Sequence, residues 1–153
     1  SLFMFQSNAK VLVYVCGILS SLSVDPDHAK SIVDAGVIGA IVGMMRVHIR
    51  SVRLVEYGCL LLRNLSVLNK NHAEEASSSC SIILRGMREH PDSSGLQREA
   101  CAALWSLAAK SETSKERILF EGGIDVITRT LKHSRYAPDF QHEAQGALSQ
   151  LEY

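Results

Sequence analysis

The 153-residue chain has few aromatic residues, little proline and no excess of charge of either sign. Aromatic residues make up only 6% of it, and leucine, alanine, valine and isoleucine supply most of the apolar residues, a mixture that favours packed helices over aromatic-rich strands. The 16 basic residues balance 16 acidic ones, whereas proteins that hold phosphate backbones usually carry a clear positive excess. The composition therefore predicts a helical protein and argues against nucleic acid as its main partner.

The chain also lacks the motifs that accompany catalysis, metal binding or membrane insertion. Its four cysteines form no CxxC pair, and none of its six histidines has a histidine or cysteine at helical spacing. It has no phosphate-binding glycine loop, no nucleophile elbow, no apolar run long enough to span a bilayer and no signal peptide. We therefore expect no enzyme activity, cofactor, metal or small-molecule substrate. Reduced cysteines predict a cytoplasmic protein, with the nucleus and cell junctions as alternative locations.

Four segments of the chain superimpose with a period of about 43 residues, which is the signature of a repeat protein. They cover residues 14–22, 57–65, 99–107 and 143–151, and their final leucines, Leu22, Leu65, Leu107 and Leu151, are 43, 42 and 44 residues apart. Six positions before those leucines the segments carry Cys16, Cys59, Cys101 and Gln145. The apolar residues three and four positions before the leucines share one helix face with them. The period predicts four equivalent helices with buried final leucines, and it gives the three cysteines a packing role.

A second motif repeats with the same period. Residues 34–38 resemble residues 121–125, and Gly36, Ser79 and Gly123 are separated by 43 and 44 residues. We expect a helix to end in a left-handed turn at Gly36 and at Gly123. Asp25 followed by Pro26 is typical of a helix start. The second motif therefore adds shorter helices between the four equivalent ones.

Together these motifs resemble the armadillo repeat. The most similar copy spans residues 112–151 and contains ERILFEGGIDVITRTL and EAQGALSQL. The resemblance covers nearly the whole chain and implies an all-α fold, namely a right-handed α-solenoid in which three-helix repeats stack into an armadillo-like superhelix. HEAT repeats, with two helices each, are the alternative, and the glycine breaks near Gly36 and Gly123 favour three.

The resemblance also divides the chain. We expect a single armadillo-repeat domain over residues 1–153, with a leading third helix at 7–24 and repeats at about 25–68, 69–110 and 111–153. The apolar residues 2–5 are interpreted as the end of a helix that begins upstream. The chain is accordingly predicted to be a segment of a longer solenoid.

In the armadillo family the third helices line a concave groove that binds other proteins, so their exposed residues are the candidate site. The central third helix contributes Arg53, Glu56, Tyr57, Leu60 and Asn64, whose spacing places them on one stripe. The next third helix contributes Arg98, Glu99, Trp105 and Ser106. Arginine, tyrosine and tryptophan are frequent contact residues in interfaces, and an asparagine can hold a ligand's backbone amide.

Alternatives remain for several of these residues. Trp105 is the only tryptophan, and burial between repeats is the alternative to a place in the groove. Nuclear-import receptors of this family carry columns of Trp and Asn, and only Asn64 fits that pattern, which argues against a receptor for nuclear localisation signals. The basic residues of segment 46–53 could meet an acidic partner or could form a solvated loop.

Three functions are compatible with these observations. The first is an adaptor that binds an extended segment or a domain of a partner protein along the groove. The second is an architectural spacer within a longer armadillo or HEAT scaffold whose binding surface lies elsewhere. The third is single-stranded nucleic-acid binding, which would need a regular column of stacking aromatics that the chain does not have.

Overall fold

The computed structural model describes residues 8–152, and within that range the chain forms ten α-helices and one 3₁₀ turn without any strand. In chain order the elements are α1 (Ala9–Leu22), α2 (Pro26–Asp34), α3 (Val37–Val47), α4 (Val52–Leu68), α5 (Lys70–Glu75), the 3₁₀ turn (Ala76–Ser79), α6 (Cys80–Glu89), α7 (Ser94–Lys110), α8 (Glu112–Phe120), α9 (Gly123–His133) and α10 (Ala137–Leu151). Residues 2–5, predicted to end an upstream helix, lie outside the described residues. So do Ser7 and Tyr153, at the ends of the predicted units.

The order of short and long helices repeats along the chain. The long helices α4, α7 and α10 each follow two shorter ones, and α1 is the long helix that precedes the first such set. Each repeat therefore contains three helices, as the armadillo resemblance implies and as a two-helix HEAT unit would not. The predicted all-α solenoid of stacked three-helix repeats is confirmed.

A polar residue begins the first helix of each set. The side chain of Asp25 accepts hydrogen bonds from the amides of Asp27 and His28, and Asn69 and Ser111 cap α5 and α8 in the same way. These caps satisfy amides that have no partner within the helix. The starts of the first helices are therefore determined by local sequence.

Two glycines make the sharp turn between the first and second helices. Gly36 and Gly122 both have a φ of +81°, in the left-handed region that side chains with a Cβ disfavour. The prediction for Gly123 was wrong by one residue, because Gly123 is the first residue of α9 and is buried against Ile118. In the tandem Gly122-Gly123, one glycine supplies the turn and the other permits close packing.

The third helices carry the core of the stack. They pack side by side in the order α1, α4, α7 and α10, and Cys16, Cys59 and Cys101 between them are fully buried. Leu65, Leu107 and Leu151 are also buried, as predicted, but Leu22 is 44% exposed. The expectation for Leu22 was wrong because no repeat packs against that side of α1 within the described residues.

We predict that the two classes of glycine respond oppositely to alanine. Gly36→Ala places a Cβ at a positive φ and should destabilise the protein by about 1–2 kcal/mol. Gly39→Ala, three residues later inside α3, meets nothing within 4 Å and should stabilise it by roughly 0.5–1 kcal/mol. Urea unfolding curves of both variants measure this difference, and equal shifts of the two midpoints would contradict the left-handed assignment.

Candidate functional site

The stacked third helices leave one side uncovered, here called the third-helix surface. Three columns of residues form it: Tyr14, Tyr57, Glu99 and Glu143; Gly17, Leu60, Ala102 and Gly146; and Ser21, Asn64, Ser106 and Gln150. All of them except Ala102 are at least partly exposed. The middle column consists mainly of small residues, which leaves room for clefts between neighbouring helices.

The first of these, the tyrosine cleft, lies between α1 and α4. It has a volume of about 280 Å³ and is lined by Tyr14, Gly17, Ser21, Arg53 and Tyr57, among others. The Arg53 guanidinium carbon lies 5.7 Å from the centre of the Tyr57 ring, which is within cation–π range. The cleft thus combines two aromatic rings with an exposed cation.

The tryptophan cleft lies further along the same surface, on α4, α7 and α10. Its volume is about 360 Å³, and its lining includes Arg63, Trp105, Ser106, Lys110 and His142. The Trp105 ring is half-buried and meets the His142 ring edge-on, with centroids 5.4 Å apart. Trp105 therefore belongs both to the contact between repeats and to the open surface, so the two interpretations of this residue are compatible.

A group of charged side chains lies at the contact between α4 and α7. The Glu99 carboxylate lies 3.8 Å from Arg63 and 3.8 Å from Arg98, and its buried Oε2 accepts no hydrogen bond. Burial raises the pKa of Glu56 above its ordinary value, and the neighbouring Glu99 charge raises it further, while Arg98 and Arg53 oppose the shift. Glu56 and Glu99 thus form a partly desolvated acidic pair that neighbouring arginines only partly compensate.

Asn64 has a structural bond that its sequence position did not reveal. Its Nδ2 donates a hydrogen bond of 3.1 Å to the backbone oxygen of Ser20 in α1. The side chain therefore links two consecutive third helices, and only its Oδ1 and second N–H remain for a ligand. The predicted role of Asn64 in binding a partner's backbone is correspondingly reduced.

The predicted site residues thus fall into separate groups. Arg53 and Tyr57 line the tyrosine cleft, and Trp105 and Ser106 line the tryptophan cleft. Glu56, Arg98 and Glu99 belong to the charged group between α4 and α7, and Leu60 is half-buried. The lining residues that were not predicted include Tyr14, Arg63, Lys110 and His142. Tyr14 lies one period before Tyr57 and could have been found from the repeat, whereas His142 reaches Trp105 only through packing of α10 on α7.

Two clefts lie away from the third-helix surface. One, of about 400 Å³, is lined by Met87, Asp125 and Arg129 among others, and the other, of about 500 Å³, lies beside Phe120 and Arg117. Phe120 is 91% exposed. The lining residues of both clefts belong to first and second helices and the adjoining loops, so neither cleft continues the columns of the third-helix surface.

The cysteines are in surroundings that oppose thiol chemistry. All four are buried, and burial raises the pKa of Cys16 to about 11 and that of Cys101 to about 12. A thiol with such a pKa is almost wholly protonated at neutral pH and is a poor nucleophile. The cysteine column therefore has the packing role that its position on the helix predicts.

Metal-binding clusters and membrane-spanning helices are both absent from the part of the chain that the structure describes. No group of three or more His, Cys, Asp or Glu side chains in residues 8–152 is arranged to hold a metal ion. Among those residues no helix combines the length and apolar character needed to cross a bilayer.

Comparisons with known proteins agree with this architecture. A family model described as the LRRK2 ARM repeat matches residues 1–135. The protein aardvark of Dictyostelium discoideum is 33% identical over 131 residues, which cover 77% of this chain and 17% of aardvark. The chain thus spans less than a fifth of that relative's length. The crystal structure of an engineered protein superimposes with a TM-score of 0.82 at 19% identity over 96% of this chain and 58% of the other, a likeness of fold alone.

Gly146 and Gly17 occupy the same column and provide a matched test of the tryptophan cleft. A methyl group at Gly146 would overlap the Trp105 ring, whereas one at Gly17 would lie 3.8 Å from Tyr57, at ordinary contact distance. Gly146→Ala should destabilise the protein by about 1 kcal/mol or more and change the Trp105 fluorescence maximum. Gly17→Ala, also inside a helix and with room for the methyl group, should be neutral or stabilising by up to about 1 kcal/mol and should leave the fluorescence unchanged. Identical behaviour of the two variants would show that the ring does not lie against α10.

Glu56→Gln should make stability less dependent on pH. The pKa of Glu56 is raised in the folded state. Its contribution to the free energy of unfolding is therefore fully present below the ordinary glutamate pKa of 4.5 and is lost as pH rises through the folded-state pKa. Removing the charge should therefore raise Tm near neutral pH by on the order of 1–2 °C. The gain should disappear below pH 4.5.

Thermal melts between pH 3.5 and 8 measure this effect. Glu75→Gln, at an exposed position of α5, is the control for loss of a glutamate charge. A Glu56→Gln variant that is less stable than the parent at neutral pH would contradict the assigned direction.

Proposed function

This chain belongs to the armadillo-repeat family described as the LRRK2 ARM repeat, and from that membership and the geometry of its third-helix surface we propose that it binds an extended segment of a partner protein. The observation that carries the proposal is the pair of clefts, each with an aromatic ring at its wall and a cation at its rim. Repeat folds of this kind serve in protein interaction and scaffolding, and this surface combines aromatic and basic residues in two clefts on consecutive third helices.

The spacing of the clefts suggests the form of the partner. Neighbouring helices pack about 8–10 Å apart, so the tyrosine and tryptophan clefts, one and a half to two helix spacings apart, are separated by roughly 12–20 Å. An extended chain rises about 3.3 Å per residue and covers that distance in about four to six residues. We propose that the partner segment inserts two apolar or aromatic side chains at that separation.

The rims suggest the charge of the partner. Arg53 lies beside the tyrosine cleft and Lys110 beside the tryptophan cleft, and both side chains are exposed. The Glu56–Glu99 pair is compensated in part by Arg63, Arg98 and Arg53. Acidic residues next to the two anchors would meet the exposed positive charge at each rim.

The alternative function is an architectural spacer with its binding surface elsewhere. The Asn64–Ser20 hydrogen bond and the contact of Gly146 with Trp105 favour rigidity between repeats, which both functions require. A spacer has no need of exposed cations beside the aromatic residues. The two proposals therefore differ in the expected effect of changes at Arg53 and Lys110.

The test is a selection of random 12-residue peptides on the intact chain, followed by titration of individual peptides with Trp105 fluorescence. We expect peptides with two apolar or aromatic residues about four to six positions apart and with acidic neighbours. Arg53→Glu combined with Lys110→Glu should weaken their binding by about tenfold or more without changing Tm by more than about 2 °C.

A charge-matched control separates the surface from a general charge effect. Arg46→Glu combined with Lys132→Glu makes the same change at exposed positions on the second helices α3 and α9. It should leave binding intact apart from a small salt-dependent loss. Failure to select such peptides, or equal losses in both double variants, would leave the spacer as the better account. Asn64 is kept in every variant because its loss would weaken the bond to α1.

A further inference from the structure

Positive and negative charges are segregated within the repeats, although the chain as a whole is neutral. Seven basic and three acidic residues occur in the second helices and the loops that follow them, namely residues 37–51, 80–93 and 123–136. Four basic and eight acidic residues occur in the first helices with their caps and turns, namely residues 25–36, 69–79 and 111–122. The balanced composition therefore conceals two regions of opposite charge.

The basic region ends in three segments that lie side by side. Each covers the end of a second helix and the loop to the next third helix, and the three are residues 46–50, 88–92 and 132–136. His90 Nε2 in the second segment lies 2.6 Å from the backbone oxygen of Ile49 in the first. Pro91 and His133, in the second and third segments, line one cleft. We call these three segments the loop edge.

The two outer segments of the loop edge carry its positive charge. Residues 46–50 and residues 132–136 each contain two basic residues and one histidine, without an acidic residue. All four cations are exposed, namely Arg46, Arg50, Lys132 and Arg135. The loop edge therefore presents two separate groups of cations to solvent.

Apolar side chains project beside these cations. Val47 is 53% exposed, and Tyr136 is 40% exposed with its ring centre 5.7 Å from the guanidinium carbon of Arg135. Tyrosine or aliphatic residues next to arginine and lysine are typical of surfaces that enter the headgroup layer of a bilayer. There the ring or alkyl group is buried, and the cation meets the negative charge of the lipids.

The opposite ends of the third helices are acidic. α4 begins next to the loop edge at Val52 and ends at Leu68, and its 17 residues span about 25 Å. The first helices begin at that far end, with Asp25, Asp27 and Glu112 at their caps or in their first turns. An anionic surface would therefore attract the loop edge and repel the far ends of the third helices.

The distribution of charge on the loop edge distinguishes between anionic partners. Its outer segments are two repeats apart, roughly 16–20 Å at 8–10 Å per helix, so one phosphate or one acidic side chain cannot contact both. An acidic chain that lay along the edge would meet Glu89 and Asp92 in the middle segment. Lipid headgroups can contact the two outer segments independently, because lipids diffuse in the plane of the bilayer.

We propose that the loop edge is a docking surface for a bilayer that contains anionic phospholipids. The four cations of the outer segments contact the phosphate and carboxylate groups of the lipids, while Val47 and Tyr136 enter the headgroup layer. The third helices then stand on the bilayer with their acidic ends away from it. The loop edge is separate from the third-helix surface, so this docking does not depend on the proposed partner segment.

Sedimentation of the 153-residue chain with sucrose-loaded phospholipid vesicles tests the proposal. We expect binding to vesicles of phosphatidylcholine that contain phosphatidylserine, and little binding to vesicles of phosphatidylcholine alone. Added salt should weaken the binding, because exposed charges more than about 10 Å apart are largely screened at about 0.1 M salt. Equal binding to the two kinds of vesicle would overturn the proposal.

Arg46→Gln combined with Lys132→Gln removes one cation from each outer segment. Each cation near an anionic bilayer strengthens binding by about fivefold, so this double variant should bind phosphatidylserine vesicles about 20-fold more weakly than the parent. Lys70→Gln combined with Arg117→Gln is the control, because it makes the same change of charge at exposed positions on the first helices. Equal losses in the two double variants would indicate a general charge effect and would overturn the proposal.

Tyr136→Ser tests the apolar part of the contact. It should weaken vesicle binding by about threefold or more, and the factor should be similar at low and moderate salt. Tyr14→Ser removes a tyrosine that is 73% exposed on α1 and should leave vesicle binding unchanged. An equal effect of the two tyrosine substitutions would contradict insertion of the loop edge into the headgroup layer.

A polyglutamate peptide distinguishes a bilayer from an acidic protein partner. We expect the parent chain to bind the anionic vesicles and to bind this peptide weakly. Peptide binding without vesicle binding, abolished by Arg46→Gln combined with Lys132→Gln, would assign the loop edge to an acidic protein segment and overturn the proposal. All variants should keep the parent's Tm within about 2 °C, so that losses of binding reflect lost contacts with the vesicle.

Discussion

The structure depends on the packing of each third helix between two others. A helix of this kind is apolar on two sides, and neither side can be buried within its own repeat. α4 and α7 satisfy both sides, with Leu61 and Cys59, or Ala103 and Cys101, fully buried on their opposite faces. The short first and second helices pack behind this row, and their turns and caps bring each chain segment back to the next long helix.

The candidate site is a consequence of the same arrangement. When two sides of a third helix are buried in the stack and a third rests on its own repeat, one stripe remains for solvent. Small residues in the middle column, such as Gly17 and Gly146, leave clefts there, and side chains from adjacent helices enclose them. Tyr57 and Trp105 are half-exposed because the stack leaves this stripe of each third helix uncovered, and a partner can reach them there.

Side chains on this surface have roles in both stability and recognition. Asn64 ties α4 to α1, Trp105 rests on α10, and Glu99 is held among arginines while its Oε2 lacks a hydrogen bond. Arg53 lies over the Tyr57 ring of its own helix, and the side chains of Arg53 and Lys110 are both exposed. Substitutions at Arg53 or Lys110 should therefore alter partner binding with little loss of stability. Substitutions at Asn64 or Gly146 should alter both partner binding and stability.

The sequence by itself determined the period, the helical class and the starts of the first helices, because these follow from helix-face spacing and from local caps such as Asp25 and Ser111. It also placed Arg53 and Tyr57 on a shared stripe. Tertiary structure alone decided that Gly122 rather than Gly123 makes the turn, that Leu22 is exposed, and that Asn64 and Trp105 touch neighbouring repeats. The choice between the adjacent Gly122 and Gly123 depends on close packing against Ile118. The exposure of Leu22 and the contacts of Asn64 and Trp105 depend on what lies across an interface with another repeat, about which periodicity within one helix carries no information.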